Sequence, residues 1–174
     1  MVGREKIDEA VQVYEKGIKV DPRFAMIYNN LGLLYFNYKS DSKKAENLYK
    51  KSISLDSKIP EPHNNLGNLY NSNDRFDDAI NCYKSSILIN PKIAQPHHNI
   101  GNVYITIGNF IEAKKHFEKC LKIDPYHSNS HRSLSRLTKY TTIENDHFKE
   151  LIKIYKKIKK DDLENKSNIS FALG

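Results

Sequence analysis

The sequence predicts an all-α fold built from stacked helix pairs, and two observations predict it. The stretch Asn64-Asn65-Leu66-Gly67-Asn68-Leu69-Tyr70 is nearly repeated upstream as Asn29-Asn30-Leu31-Gly32-Leu33-Leu34-Tyr35 and downstream as His98-Asn99-Ile100-Gly101-Asn102-Val103-Tyr104, with glycines and tyrosines 35 and 34 residues apart. A second set of columns keeps the same period: Ala10, Ala45, Ala79 and Ala113; Tyr14, Tyr49, Tyr83 and Phe117; Gly17, Ser52, Ser86 and Cys120; Pro22, Ser57, Pro91 and Pro125. A fixed period of this length is the mark of a repeat array, in which each unit buries its apolar face against its neighbours.

The residues in these columns resemble the tetratricopeptide repeat (TPR), a 34-residue helix–turn–helix unit, over roughly residues 4–140. The resemblance implies a TPR α-solenoid wound as a right-handed superhelix, with first helices lining its concave side. The family's usual Trp early in the first helix is absent, and Tyr28, His63, His97 and His131 stand there instead.

Taken in order, residues 1–22 hold one amphipathic helix over 4–20, with Ile7, Ala10, Val11, Tyr14 and Ile18 at helical spacing. By register it is the second helix of an incomplete unit, as though the chain began in mid-repeat. Full units follow at 23–57, 58–91 and 92–125. In each, the glycine is expected where two helices approach closely, because a side chain there would hold them apart. The alanine plays that part on the second helix, and Tyr35, Tyr70 and Tyr104 are expected to fill the space between the two. The one extra residue of the first full unit lies between Tyr35 and Ala45, where a longer turn would absorb it. Asp74 before Arg75-Phe76, and Gly108-Asn109 before Phe110, mark the turns of the other two.

Residues 126–174 are a degenerate half-repeat, a capping or linking helix, and the start of a further helix. Ser135 replaces the glycine and Thr138 the tyrosine. A helix after Thr141-Thr142 carries Phe148, Leu151, Ile152, Tyr155 and Ile158 on one face and Lys149, Lys153, Lys156, Lys157 and Lys160 on the other. The run Asp161 to Asn168 reads as a loop. The motifs His131-Arg132-Ser133-Leu134-Ser135-Arg136-Leu137, Lys139-Tyr140-Thr141, His147-Phe148 and Phe171-Ala172-Leu173-Gly174 resemble the segment after the repeats in bacterial TPR–sulfotransferase proteins. That resemblance implies a substrate-docking arm whose catalytic domain, using the sulfonate donor PAPS, lies beyond residue 174.

Composition narrows the function. The chain has 174 residues, 28 basic against 21 acidic, and a net charge of +7. The lysines are spread along helix surfaces, which reads as solvated faces rather than a nucleic-acid footprint, and the aromatic residues lie opposite the C-terminal lysine face, so no base stacking is offered. No apolar run reaches the length of a membrane span, and the charged start lacks a signal-peptide core, so the expectation is a cytoplasmic protein. Cys82 and Cys120 are read as buried small residues in a reducing compartment. No nucleophile–base constellation or phosphate loop stands out, and neither an enzyme activity nor a cofactor is expected. His63, His97 and His131 are in register, but equivalent helices lie too far apart to share a metal.

The binding candidates are carboxamides. Asn30, Asn65 and Asn99 precede the aliphatic residue of the motif; Asn68 and Asn102 follow three residues later on the same side of the helix. One acceptor and two donors complement a peptide unit. The pattern is similar to the asparagine ladder of O-GlcNAc transferase, and predicts a groove that holds a protein or peptide segment in extended conformation by its backbone. Bonds between neighbouring helices are the alternative use of these side chains. Asn129, Arg132, Arg136 and Lys139 turn the C-terminal end of the line basic, which suits a segment with an acidic end. A scaffold that pairs with copies of itself is a further alternative.

Overall fold

The computed structural model describes residues 4–138 and 146–157, and these form nine α-helices and no strand. Two compact units divide the chain, residues 1–91 and 92–174. Unit 1 holds α1 (Arg4–Val20), α2 (Ala25–Tyr38), α3 (Ser42–Leu55), α4 (Pro60–Ser72) and α5 (Phe76–Ile89). Unit 2 holds α6 (Gln95–Thr106), α7 (Phe110–Ile123), α8 (Ser128–Leu137) and α9 (Asp146–Lys157). Within each unit the most extensive pairings are α2 with α3, α4 with α5, and α6 with α7, followed by each second helix with the next first helix. Among the described residues no helix is long and apolar enough to cross a membrane. Lys139-Tyr140-Thr141, Thr142, Ile158, Lys160 and everything from Asp161 to Gly174 lie outside the described residues.

The short connections follow from local chemistry. Each helix pair is joined by three residues, 39–41, 73–75 and 107–109. The middle one takes a left-handed backbone in every case: Ser40 (φ 52°), Asp74 (φ 58°) and Gly108 (φ 77°). Asp41 then caps α3, its Oδ1 accepting from Lys44 N at 2.9 Å, and Asn109 caps α7 by accepting from Glu112 N at 3.2 Å. The expected longer turn in the first full unit is not found. The extra residue extends α2, which runs three residues past Tyr35, whereas α4 and α6 stop two past Tyr70 and Tyr104. The turn stays closed because Asp41 N donates to Tyr35 O, as Arg75 N does to Tyr70 O and Asn109 N to Tyr104 O.

The glycine column is explained by a ring. An ideal Cβ on Gly32 would sit 2.7 Å from Cε1 of Tyr49; on Gly67 it would be 2.6 Å from Cε1 of Tyr83, and on Gly101 2.6 Å from Cε1 of Phe117. These three rings are at most 1% exposed. They fill the space between the helices of a pair, a part the sequence suggests for Tyr35, Tyr70 and Tyr104. Those tyrosines sit nearer the rim: Lys44 Nζ lies 4.0 Å over the Tyr35 ring, Arg75 lies 4.0 Å over Tyr70, and Tyr104 stacks at a tilt on His116. In unit 2 Ala113, Phe117 and Leu134 form a core cluster, with Tyr104, Ile105, Leu121 and Leu137 packed against it.

Histidine in place of the family's Trp also has a structural reason. Tyr28 donates its hydroxyl to Pro22 O at 3.0 Å, His63 Nε2 lies 3.3 Å from Ser57 O, and His131 Nε2 lies 2.9 Å from Pro125 O. Each ring ties its helix to the carbonyl six residues earlier, in the connection two residues past the end of the preceding helix. A ring N–H or phenol thereby supplies a donor to a carbonyl of the connection, which no helix ladder serves.

One column distinguishes two otherwise equivalent tyrosines. Tyr83 donates its hydroxyl to Asn68 Oδ1 at 2.9 Å. The register position of Asn68 is held by Leu33 in the preceding pair, and the Tyr49 hydroxyl there is buried with no hydrogen-bond partner among the described residues. Burial pushes both phenols far above their ordinary pKa, so both stay neutral. A buried hydroxyl without a partner costs about 1–3 kcal/mol, whereas a made hydrogen bond contributes about 1 kcal/mol. Tyr49→Phe is therefore expected to raise the stability of the chain or leave it unchanged, and Tyr83→Phe to lower it by about 1 kcal/mol. Chemical denaturation of the two variants beside the parent checks this; equal effects in the same direction would refute it.

Candidate functional site

The predicted carboxamides fall on the first helices, and the structure gives most of them a partner within the protein. In unit 1, Asn65 Nδ2 on α4 donates to Asn29 Oδ1 on α2 at 2.9 Å, and Asn29 Nδ2 donates onward to Asn30 Oδ1 at 3.1 Å. Asn29 is only 2% exposed. The neighbouring first helices are thus bonded through Asn29, which belongs to the repeated motif but is not one of the predicted binding carboxamides. Its signal was its column: Asn29, Asn64 and His98 occupy one register position, which a polar partner on the adjacent first helix can bridge. Asn68 serves Tyr83, as described above.

In unit 2, Asn99 Oδ1 accepts from Gln95 Nε2 at 2.9 Å. Asn102 belongs to a longer chain of bonds. Its Nδ2 lies 3.0 Å from His98 Nε2, His98 Nδ1 lies 2.8 Å from Ser130 Oγ, and Ser130 donates to Cys120 Sγ at 3.1 Å. The directions agree only with a neutral His98, protonated on Nδ1 and accepting on Nε2. Burial drives the His98 pKa down to about 4, with the nearby His127 adding to the effect. Cys120 is buried and Cys82 half-buried; both are free thiols, and burial raises both pKa values, that of Cys82 to about 11.

Two of the predicted residues converge. Asn102 on α6 and Arg136 on α8 line one cavity of about 260 Å³ with Ile105, Phe110, Ser133 and Leu137. Phe110 is 56% exposed at its edge. Arg132, one turn before Arg136, is half-buried and does not line it. A second cavity of about 540 Å³ lies between α7, α8 and α9, with Leu121, Pro125 and Leu134 for walls and His131 and His147 beside them. There His131 Nδ1 and His147 Nε2 are 3.0 Å apart and the rings stack with centroids 5.2 Å apart. His97 pairs likewise with His116, Nδ1 to Nδ1 at 3.4 Å. Among the described residues no group of three or more His, Cys, Asp or Glu is placed to hold a metal ion.

The carboxamides that keep capacity are now identifiable. Asn65 commits one N–H, to Asn29, and Asn102 one, to His98. An Asn side chain has two donors and one acceptor. Each of these half-buried groups therefore retains a carbonyl and one N–H.

Comparison with known proteins agrees with the helix pairing. Family models described as "Tetratricopeptide repeat" match residues 25–59, 60–93 and 94–127, and one described as "TPR repeat" matches 3–38. No curated protein matches the chain. Among solved structures, two of MamA are similar at 24% identity, with TM-scores of 0.69 and 0.67; each covers 96% of this chain, and 92% and 86% of theirs. The first TPR of Spaghetti (RPAP3), bound to the HSP90 peptide SRMEEVD, is similar at 20% identity and TM-score 0.62, over 66% of this chain and 92% of that one. These likenesses extend to the solenoid arrangement of helix pairs, all-α in every case. With four matches running from residue 3 to residue 127, the chain belongs to the tetratricopeptide repeat family, whose helix pairs are protein-interaction modules.

Proposed function

We propose that this chain binds partner polypeptide in extended conformation on the first-helix face of each unit, with no chemistry of its own. The observation that carries the reading is the state of Asn65 and Asn102. Each gives one N–H to an inner neighbour and keeps a carbonyl and an N–H, which is the complement of one peptide unit. The inner bond also fixes the carboxamide, so little side-chain freedom is lost on binding. In unit 2 the cavity shared by Asn102, Ser133 and Arg136 adds a guanidinium to the carboxamide. A carboxylate next to a small apolar side chain suits that lining, with Phe110, Ile105 and Leu137 as the apolar wall. The acidic peptide held by the similar TPR of Spaghetti (RPAP3) supports the same class of partner.

The test is a peptide array followed by fluorescence anisotropy on the best binders. Asn65→Ala and Asn102→Ala are each expected to weaken binding about three- to tenfold, the worth of about one hydrogen bond. Arg136→Ala should weaken only segments that carry an acidic residue, by about tenfold or more. Thermal melting of each variant separates loss of contact from loss of fold. Unchanged affinity in all three folded variants would refute the reading.

A further inference from the structure

The larger cavity of unit 2 takes no part in peptide binding, and its origin can be read from the register. Ala45, Ala79 and Ala113 let the second helix of a pair lie close to the first, and each is 0% exposed. The next residue in that column is His147 on α9, while Leu151 and Ile154 continue the columns of Phe117 and Cys120 and are buried like them. An imidazole thus stands in the place of a methyl group. The closely packed pairs are α2 with α3, α4 with α5 and α6 with α7; α8 with α9 is not among them. The space left between α7, α8 and α9 is about 540 Å³. That lies within the range of about 300–1,000 Å³ of small-molecule pockets, and it is too wide for one side chain to fill.

The lining is apolar inside and acidic at the mouth. Leu134 and His131 are buried, and Leu121 and His147 half-buried. The imidazoles bring ring carbon rather than charge. Nε2 of His131 is bound to Pro125 O and its Nδ1 to Nε2 of His147, and burial holds both pKa values below the ordinary range. The charged groups of the lining are Glu118, Asp146 and Glu150, opposed by Lys122 alone among the described residues, and all four are exposed. Lys153, 3.9 Å from Glu150, does not line the cavity. The mouth is therefore negative in a chain whose net charge is +7.

We propose that this cavity binds a small organic cation, an amine carried on an aromatic or branched aliphatic body. The body lies against Leu121, Pro125, Leu134 and the two imidazole rings, and the ammonium meets the carboxylates of Glu118, Asp146 and Glu150 at the mouth. A neutral ligand would leave the acidic mouth unused, and an anion would be opposed by it. The cavity of Asn102 and Arg136 has the opposite preference, so the two sites of unit 2 are told apart by charge, and neither reading rests on the other.

The probes are tryptamine, tryptophol and indole-3-propionate, which share an indole and end in an ammonium, a hydroxyl and a carboxylate. Each is titrated into the whole isotope-labelled chain at neutral pH and followed by amide shifts. Saturable shifts in α7, α8 and α9 are expected for tryptamine in the low-millimolar range, the affinity that about twelve non-hydrogen atoms allow. Tryptophol should bind about three- to tenfold more weakly, and indole-3-propionate more weakly still. Glu118→Gln combined with Glu150→Gln changes only exposed side chains, and should cut the preference for tryptamine over tryptophol to about twofold or less. Leu121→Trp should fill the space and abolish binding of all three, with thermal melting as the check on folding. Shifts in these helices that do not saturate overturn the proposal, as do shifts confined to the surroundings of Asn102 and Arg136. Equal affinity for tryptamine and indole-3-propionate, or a full preference retained in the double Gln variant, overturns it as well.

Discussion

Gly67→Val is expected to destabilise unit 1 by about 3 kcal/mol, and Gly67→Ala by about 1–2 kcal/mol, although both substitutions favour helix formation in isolation. Alanine in place of glycine within a helix gains about 1 kcal/mol from propensity alone. Against this stands the Tyr83 ring, whose Cε1, Cδ1 and Cζ would lie 2.6, 2.8 and 3.0 Å from the new Cβ. The ring is 1% exposed and its hydroxyl is bonded to Asn68, so it cannot swing out without breaking that bond and opening the pair. Overpacking of this kind costs about 1–3 kcal/mol, and more for a branched side chain. Shortening the ring should relieve the clash: Gly67→Ala combined with Tyr83→Leu is expected to lose less than the sum of the single changes. A double-mutant cycle by urea unfolding measures the coupling. Additive effects would mean that the glycine is retained for some other reason. Gly108 is the control. Its added Cβ meets nothing, and only its φ of 77° opposes a side chain, so Gly108→Ala should cost about 1–2 kcal/mol with no dependence on any ring.

That contrast also explains how much could be read from the residues themselves. The period placed the helices well. The expected helix over 4–20 is α1, and the expected turns at Asp74 and Gly108 have the left-handed residues that such turns require. Periodicity gives columns, however, and not contacts between columns. It marked glycine and tyrosine as belonging together three residues apart in one helix. The ring that needs the glycine comes from the other helix, 16 or 17 positions on in the sequence. The extra residue before Ala45 was assigned to the turn because loops usually absorb insertions, yet here a fixed turn geometry pushed it into α2. The site was legible to a similar depth. Spacing put Asn30, Asn65, Asn68, Asn99 and Asn102 on first helices, but it could not separate inward from outward hydrogen bonds. Asn68 is held by Tyr83 and Asn65 by Asn29, and those bonds depend on which side chain a neighbouring helix presents. The convergence of Asn102 with Arg136 depends on the packing of α6 and α8, which no pattern within either helix records.

Unit 2 should lose stability steeply between pH 6.5 and pH 4, and unit 1 should not follow it. Six of the seven histidines lie in unit 2, and five of those have pKa values lowered chiefly by burial: His97, His98, His127, His131 and His147, with His98 and His147 brought to about 4. The hydrogen bonds require the neutral form. His98 accepts from Asn102 while donating to Ser130; His127 accepts from Ser130 N; His131 donates to Pro125 O and accepts from His147. The charges around them do not cancel this: Lys114 and His131 oppose a proton on His147, and His127 opposes one on His98. Asp124 and Glu150 favour a proton on His131, but burial outweighs them. A group with a depressed pKa binds fewer protons when folded than when unfolded, so stability is full above about pH 6.5 and falls as the unfolded chain takes up protons. For the His98 shift from 6.5 to about 4, going from pH 7 to pH 5 removes about 2 kcal/mol, and the lowered pKa of His147 acts in the same direction. That is a large part of the stability of a small helical unit. Hydrogen exchange read by mass spectrometry, with exchange times corrected for pH, should find protection in α6, α7 and α8 collapsing at pH 5 while α2 to α5 stay protected. The pair His98→Gln and His147→Gln should flatten that dependence even if it lowers stability at pH 7. An unchanged pattern of protection down to pH 5, or a full slope retained in the double variant, would remove the buried neutral imidazoles as the cause.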